Sequence, residues 1–432
     1  MNHLPQLARV KMWLADPLPA DVKLAIDRLA CTDDAVQIAV MPDVHLAHEV
    51  CVGTVLATQR LIYPEAVGGD IGCGMAALAF DASADLLRPE SAAAAVLANL
   101  PSFVPAMRHP RRAIAAPPGD DCPSIEAPQP FHPPLAENVP LAGNERPATT
   151  PALGADALSG STRLLTDEIH AEPDPNALSD PRLESIRRRD GVVQLGTLGR
   201  GNHFLEFQAD EDDRLWLMIH SGSRAMGPAI RDWHLTFANK SATGLRYLDS
   251  QTPAGQAYLA DMAWARAYAR CNRRVMLDAT ARLMHRLFQI APLEGSVFDC
   301  DHNHVQRERH MAGEWWIHRK GAASAAAGQT GIIPGSMGTE SYHVQGRGCE
   351  EALCSSSHGA GRSMSRSDAR RHVSGRDLSQ QLHGIWYDRR IETALREEAP
   401  SAYKDIRGVM RAQRELTRIT RRLRPILSYK SR

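Results

Sequence analysis

Aspartate, cysteine and histidine recur in this 432-residue sequence where apolar runs give way to glycine, and that placing raises a few of its 18 histidines above the rest. Mixed folds expose their reactive groups at such strand ends. In AVGGDIGCGM, Asp70 and Cys73 stand three apart among Gly68, Gly69, Gly72 and Gly74. Glycine permits tight turns, so the carboxylate and the thiol can converge on one ion, although a plain tight turn explains the run equally well. GTLGRGNHFLEFQ contributes Asn202, His203 and Glu206. MIHSGSR contributes His220 with Arg224 close behind, and CDHNHV contributes His302 and Asn303. If His203 lies in a strand it faces away from Asn202, leaving one for metal and the other for a ligand. Three imidazoles, a carboxylate and a thiolate suit a pair of borderline divalent metals, with the thiolate able to bridge them.

A second group of segments suits phosphate. IIPGSMGTES and SSSHGAGRSMSR are small-residue loops whose backbone N–H groups can closely approach a phosphate or a nucleobase. His358 stands between a serine run and glycines, and a neutral imidazole is a competent nucleophile near pH 7. Arg224, Lys320 and Arg362 can neutralise phosphates, the arginines in bidentate fashion. Gly196, Gly199 and Gly201 run GxxGxG ahead of a strand, which is not a dinucleotide fingerprint. None of the six lysines lies in a KxDG motif, and no Gly-Lys pair exists to form a P-loop. In so arginine-rich a chain Lys320, Lys404 and Lys430 stand out as positions where arginine does not serve.

Positioning these groups requires a mixed α+β architecture. Ala20–Ala30 reads as a helix, and Val36–Met41 and Cys73–Phe80 as buried strands. GVVQLGTLGRGNHFLEFQ and DRLWLMIHSGSR are strand patterns ending in polar chemistry. Residues 255–288 lack proline and place Tyr258, Met262, Ala265, Ala269, Met276, Ala279, Leu283 and Leu287 at helical spacing, a long central helix with one expected interruption. Short strands follow at Ser296–Cys300, Trp315–His318 and Ser341–Gln345, then two or three helices, then a strand near Pro425–Tyr429. From about 105 to 190 the texture changes to a Pro/Ala-rich insertion with little periodicity, entered by Arg108, Arg111 and Arg112. Chemistry-bearing segments span residues 70 to 430, so one composite domain over 1–432 is expected.

Composition narrows the class. Fifty basic residues balance fifty acidic ones, which argues against coating nucleic acid through bulk charge but leaves room for a local basic groove. The cysteines form no CxxC pair, the N-terminus lacks a signal-peptide pattern, and no apolar run is long enough to span a bilayer. A reduced, cytoplasmic enzyme is the expectation.

Taken together, MPDVH, DIGCGM, GTLGRGNHFLE, HSGSR, HN, RKGA, IPGSMG and HGAGRSMSR resemble the RtcB family of RNA ligases, in that order, from about Lys11 to Lys430. The resemblance implies two Mn2+ ions held by Asp70, Cys73, His203, His220 and His302, with Cys73 bridging. It implies that His358 attacks the α-phosphate of GTP, that GMP passes to an RNA 3′-phosphate, and that a 5′-hydroxyl then displaces it. A 2′,3′-cyclic phosphate would first be opened to the 3′-phosphate. The guanosine site then falls on Asn202, Glu206, Asn303, Pro334, Gly335, Ser336, Met337, Ser341, Gly359, Ala360, Gly361, Tyr403 and Lys430. Arg224, Lys320 and Arg362 fall on the RNA-end phosphate. The family reading leaves open an activating protein for turnover and takes a monomer as the default. Ligand chemistry alone also admits cobalt or zinc. The chain departs from the family in LAHEVCVG after MPDVH, in Ser431–Arg432 beyond Lys430, and in the insertion. End-capping guanylyl transfer and a dinuclear metal phosphoesterase are the alternative activities.

Overall fold

The computed structural model describes residues 7–108, 178–310 and 313–430, so most of the 105–190 insertion, with Arg111, Arg112, Ser431 and Arg432, lies outside the described residues. Two antiparallel-rich sheets carry the architecture. One has seven strands in the order Phe298–Asp301, Gly74–Ser83, Arg214–Ser221, Phe204–Ala209, Thr417–Tyr429, Ser341–Gly346 and Thr330–Ile333. The other has five, in the order Arg9–Met12, Ala35–His45, Val52–Thr58, Gly313–Lys320 and Asn303–His310, with only the first pair parallel. The described residues belong to one compact unit.

Both faces of the middle strands Gly74–Ser83, Phe204–Ala209 and Arg214–Ser221 are buried over most of their length, which is why these three are mostly apolar. Ala76, Leu78 and Phe80 face one core with Leu205, Phe207, Leu217 and Ile219, while Met75, Ala77 and Ala79 face the other with Trp216, Met218 and Leu423. Against the first face lie helix Glu90–Phe103 and the second half of the long helix. The first half of the long helix packs Tyr258, Met262, Ala265 and Tyr268 against Ile62, Val67, Ile71 and Ile230.

That helix runs unbroken from Pro253 to Phe288, without the expected interruption. Thr252 caps its start by accepting from Gly255 N (3.3 Å), and Gln289 ends it in a left-handed conformation. At 1.5 Å per residue its 36 residues span about 54 Å. Among the described residues no helix is long and apolar enough to cross a membrane.

Two other elements differ from the sequence reading. Val192–Gln194, expected as strand, is helical and continues a helical run that begins at Pro181. Asp180 caps that run by accepting from Arg182 N (2.8 Å) and Pro181 fixes its first turn. Tertiary hydrogen bonds from Tyr268 Oη to Gly191 O (2.6 Å) and from Ala225 N to Gln194 Oε1 (3.1 Å) hold its end against the β-preference of two valines. The last strand starts at Thr417 rather than near Pro425. Its first half pairs with Ser341–Gly346 and its second with Phe204–Ala209, and Pro425 sits where the second pairing slips register. A residue without an N–H is tolerated at such an irregularity.

Candidate active site

Register brings the metal candidates to one end of the seven-stranded sheet. Gly74 lies opposite both Ser221 and Asp301, and Phe204 opposite His220. Cys73, His203, His220 and His302 therefore stand together where these strands begin or end. Cys73 Sγ is 3.4 Å from His203 Nε2 and 3.2 Å from His220 Nε2. His203 Nε2 is 2.9 Å from Asp70 Oδ2, and the Nε2 atoms of His220 and His302 are 3.4 Å apart. Two ligand groups result, Asp70–Cys73–His203 and Cys73–His220–His302, each with its donor atoms within 4.8 Å of one another. Cys73 belongs to both.

The supports behind the donors fit a cation pair. His203 Nδ1 faces Leu198 O at 3.0 Å and His220 Nδ1 faces Asn202 O at 3.2 Å, so each Nε2 points to the centre. Burial, reinforced by the neighbouring histidines, holds His220 and His302 well below the usual imidazole range, so both are neutral and free to ligate. Burial and Asp70 push the Cys73 thiol upward, a cost that a bound cation reverses by taking the thiolate. Burial opposes charge on Asp70 as well, yet His203 beside it outweighs that and its pKa falls to about 2.

The long helix fixes these loops through two adjacent residues. Asn272 Oδ1 accepts from Gly196 N (2.7 Å) and Thr197 N (3.2 Å), and Nδ2 donates to Ser221 Oγ and Gly222 O. Arg273 donates from Nη1 to Gly72 O and Ser221 O, both at 2.8 Å, while Asp299 holds its other edge. Gly72 lets the helix come this close, since a Cβ there would lie 2.9 Å from Arg266 Cα.

His358 stands beside the cluster, its ring centroid 4.6 Å from that of His302. Its Nδ1 lies 2.7 Å from Asp43 Oδ2, which also accepts from the His358 backbone N at 3.1 Å. Asp43 is fully buried and belongs to MPDVH, a segment whose aspartate the sequence reading left without a role. Gly361 has positive φ, and a Cβ there would collide with the Asp43 carbonyl, so the HGAG loop is pressed onto this strand. Lys404 donates to Pro42 O (3.0 Å) and Val44 O (2.7 Å), which places it behind the strand rather than on a ligand.

On the other side of His358 opens a cavity of about 220 Å³. Its walls include twelve of the thirteen guanosine candidates: Asn202, Glu206, Pro334 to Met337, Ser341, Gly359 to Gly361, Tyr403 and Lys430. Asn303 is absent from them. Its side chain donates to Asp70 O (3.0 Å) and accepts from Gly321 N (2.8 Å), tying the metal loop to the RKGA turn. Burial raises Glu206 to about 8, against the pull of Gln208 and Lys430.

The cavity also contains an acid that sequence reasoning missed. Glu398, buried, accepts from Lys430 Nζ (2.8 Å) and Tyr403 Oη (2.6 Å) and pairs with Arg362 at 3.3 Å. Burial works against its charge, but Lys430, Tyr403 and Arg366 outweigh it and the pKa falls. REEAP offers no motif by which Glu398 stands out. Arg362 is held further by Met364 O, Glu397 O and Tyr403 Oη, and it lines the cavity. Arg224, in a left-handed backbone conformation (φ 55°), sits by Gly199 near Asp70. Lys320 donates to Glu65 O at 3.2 Å and lies against Gly68.

The chain is similar over most of its length to known proteins. A family model described as tRNA-splicing ligase RtcB matches residues 25–431. The RNA-splicing ligase RtcB of Escherichia coli K12 is 35% identical over 441 residues, covering 98% of this chain and 97% of that protein. A protein of the same name from Mycobacterium tuberculosis H37Rv is 32% identical, covering 89% and 95%. The tRNA-splicing ligase RtcB of Methanococcus maripaludis is 28% identical, covering 92% and 88%.

Proposed function

The chain belongs to the RtcB family, and on that premise we propose that it is a GTP- and Mn2+-dependent RNA ligase joining 3′-phosphate or 2′,3′-cyclic phosphate ends to 5′-hydroxyl ends. The observation that carries the reading is the place of His358, between a ligand cluster centred on Cys73 and a cavity walled by the guanosine candidates. Asp43 on Nδ1 fixes the tautomer and orients the ring, leaving Nε2 as the attacking nitrogen. Nε2 forms a P–N bond to the α-phosphorus of GTP as the bond to the β-phosphate oxygen breaks, and pyrophosphate leaves. An oxygen of the RNA 3′-phosphate then takes GMP from Nε2. The 5′-hydroxyl attacks the activated 3′-phosphorus, loses its proton, and releases GMP.

Two manganese ions, held by Asp70, Cys73 and His203 and by Cys73, His220 and His302, would supply Lewis-acid polarisation of the reacting phosphates. Glu206 and Asn202 would read guanine, since a carboxylate complements its ring and amino N–H groups. Glu398 would set Lys430 and Tyr403 against the nucleotide. Arg224 and Lys320 would receive the RNA-end phosphate. The remaining assignments are a single catalytic domain carrying the 105–190 insertion, a monomer, and a reducing cytoplasm that keeps Cys73 available, with the need for an activating protein left open.

The test is incubation with Mn2+ and GTP labelled at the α-phosphate, beside a His358→Ala variant. Acid-labile label on the unaltered protein alone is expected, followed by joining of RNA that carries the two end types. Label without joining favours end capping. Absence of label together with metal-dependent phosphate-ester hydrolysis replaces the ligase reading with a phosphoesterase.

A further inference from the structure

A second group of soft and hard donors lies outside the catalytic cluster and shares no residue with it. His310 ends the strand Asn303–His310, and Glu350 and Cys354 bracket the turn before the strand Ser355–Ser357, which leads directly into His358. One donor atom from each lies within 4.8 Å of the others. His310 Nδ1 is 3.0 Å from Glu350 Oε2, and Cys354 Sγ is 3.8 Å from Glu350 Oε1. Ligands at 2.0–2.3 Å around a tetrahedral ion stand about 3.3–3.7 Å apart, so this spacing needs only small adjustment.

The surroundings are those of a metal ligand set. The other nitrogen of His310, Nε2, lies 3.3 Å from Glu308 Oε2, an ion-pair approach rather than an aligned hydrogen bond. A carboxylate behind the second ring nitrogen is the usual support of a ligating histidine. Glu308 is itself fixed by Arg319, which is fully buried. Arg319 also donates to Leu353 O (3.1 Å) and Ser355 Oγ (3.0 Å), one residue to either side of Cys354. One guanidinium thus sets both the histidine support and the thiol-bearing turn. Trp315 stacks on the His310 ring and closes one side, whereas Glu350 is about a third exposed and leaves a route for an ion.

We infer that His310, Glu350 and Cys354 form a second cation site, suited to a borderline divalent ion such as zinc, with water completing its coordination. Sulfur, nitrogen and oxygen donors in this ratio favour zinc over magnesium or calcium. Binding displaces the Cys354 proton and any proton on the His310 nitrogen that ligates. The bound ion pins the His310 end of the strand pair Asn303–His310 and Gly313–Lys320 to the turn that feeds His358. Its role is structural. Without the ion the same cage holds a proton on His310, which contacts with Cys354 and Glu308 raise to about 10.

The experiment uses Co2+ alone as a spectroscopic probe, and a Cys73→Ala background to remove the catalytic thiolate. In that background a thiolate-to-cobalt charge-transfer band is expected, to saturate near one equivalent, and to vanish on adding Cys354→Ser. Zinc should compete for it and raise the melting temperature. His310→Gln should weaken the band by more than the roughly 10–100-fold typical of losing a supporting group, and it decides between the outcomes if the Cys354 variant does not fold. A Cys73→Ala protein with no such band, or a band that persists unchanged in folded Cys354→Ser or His310→Gln protein, overturns the site.

Discussion

The Cys73 cluster and the cavity beyond His358 adjoin at His220 and His358 yet are built on opposite plans. The cluster gathers the Asp70 carboxylate, the Cys73 thiol and three imidazoles at about 3 Å from one another, with His203 and His220 supported from behind by backbone carbonyls. The cavity is walled by small residues and organised by one buried acid, Glu398, with Lys430, Tyr403 and Arg362 around it. In the first, side chains wait for charge to arrive. In the second, charge is already balanced inside the protein. Loss of a group from the cluster should therefore cost chemistry, and loss from the cavity should cost stability first.

The largest effect expected is on activity. Cys73→Ala should lower guanylylation and joining together by at least ~1000-fold, because both ligand groups lose their shared member. The melting temperature of the metal-free protein should move little, since a buried thiol becomes a methyl. A large stability loss in that variant would break the contrast. Next, Glu398→Gln should cost roughly 3–5 kcal/mol in denaturant unfolding, the scale for unpairing buried cations. A variant as stable as the parent would show that Lys430 and Arg362 do not depend on Glu398.

The smallest effect sharpens the comparison inside the cavity. Glu206 is raised to about 8 from an ordinary carboxyl value. Its protonated form is favoured by folding, so its stability contribution is full below the ordinary carboxyl pKa and is lost as pH rises through about 8. GTP should follow the reverse trend, binding more tightly as pH rises through that window, because guanine donors need the carboxylate. Glu206→Gln should flatten both trends and weaken GTP about 10-fold, ~1.4 kcal/mol. Melting curves and GTP titrations from about pH 6 to about pH 9 on both proteins measure this, and identical pH trends in the variant would assign them elsewhere.

The same contrast explains what the sequence made legible. Asp70, Cys73, His203, His220 and His302 have metal-ligating side chains where apolar runs give way to glycine or polar turns, and type together with that placing raised them. Of the wall residues, Asn202, Glu206 and Lys430 and the small-residue loops stood out by type or texture, but their assignment to one guanosine site came through the family resemblance. Asp43 lay inside the MPDVH motif but acquires its role only when a loop more than 300 residues later is pressed against it. Glu398 sits in a plain acidic run, and only tertiary packing distinguishes it from Glu397. Asn303 adjoins a ligand in sequence but is turned back into the scaffold by strand pairing. For the fold, strands and the long helix followed from hydrophobic period. Residues 192–194 did not, because tertiary hydrogen bonds from Tyr268 Oη to Gly191 O (2.6 Å) and from Ala225 N to Gln194 Oε1 (3.1 Å) hold the end of this helical run.

The Asn272–Arg273 pair on the long helix has a further consequence for how ions come and go. Loops from three distant parts of the chain are clamped to one rod by hydrogen bonds that involve no metal ion. The entropy of gathering the donors is thus lost once, when the protein folds, and not again at each binding event. An ion can depart and another take its place while the vessel keeps its shape, so exchange becomes a matter of access rather than of refolding.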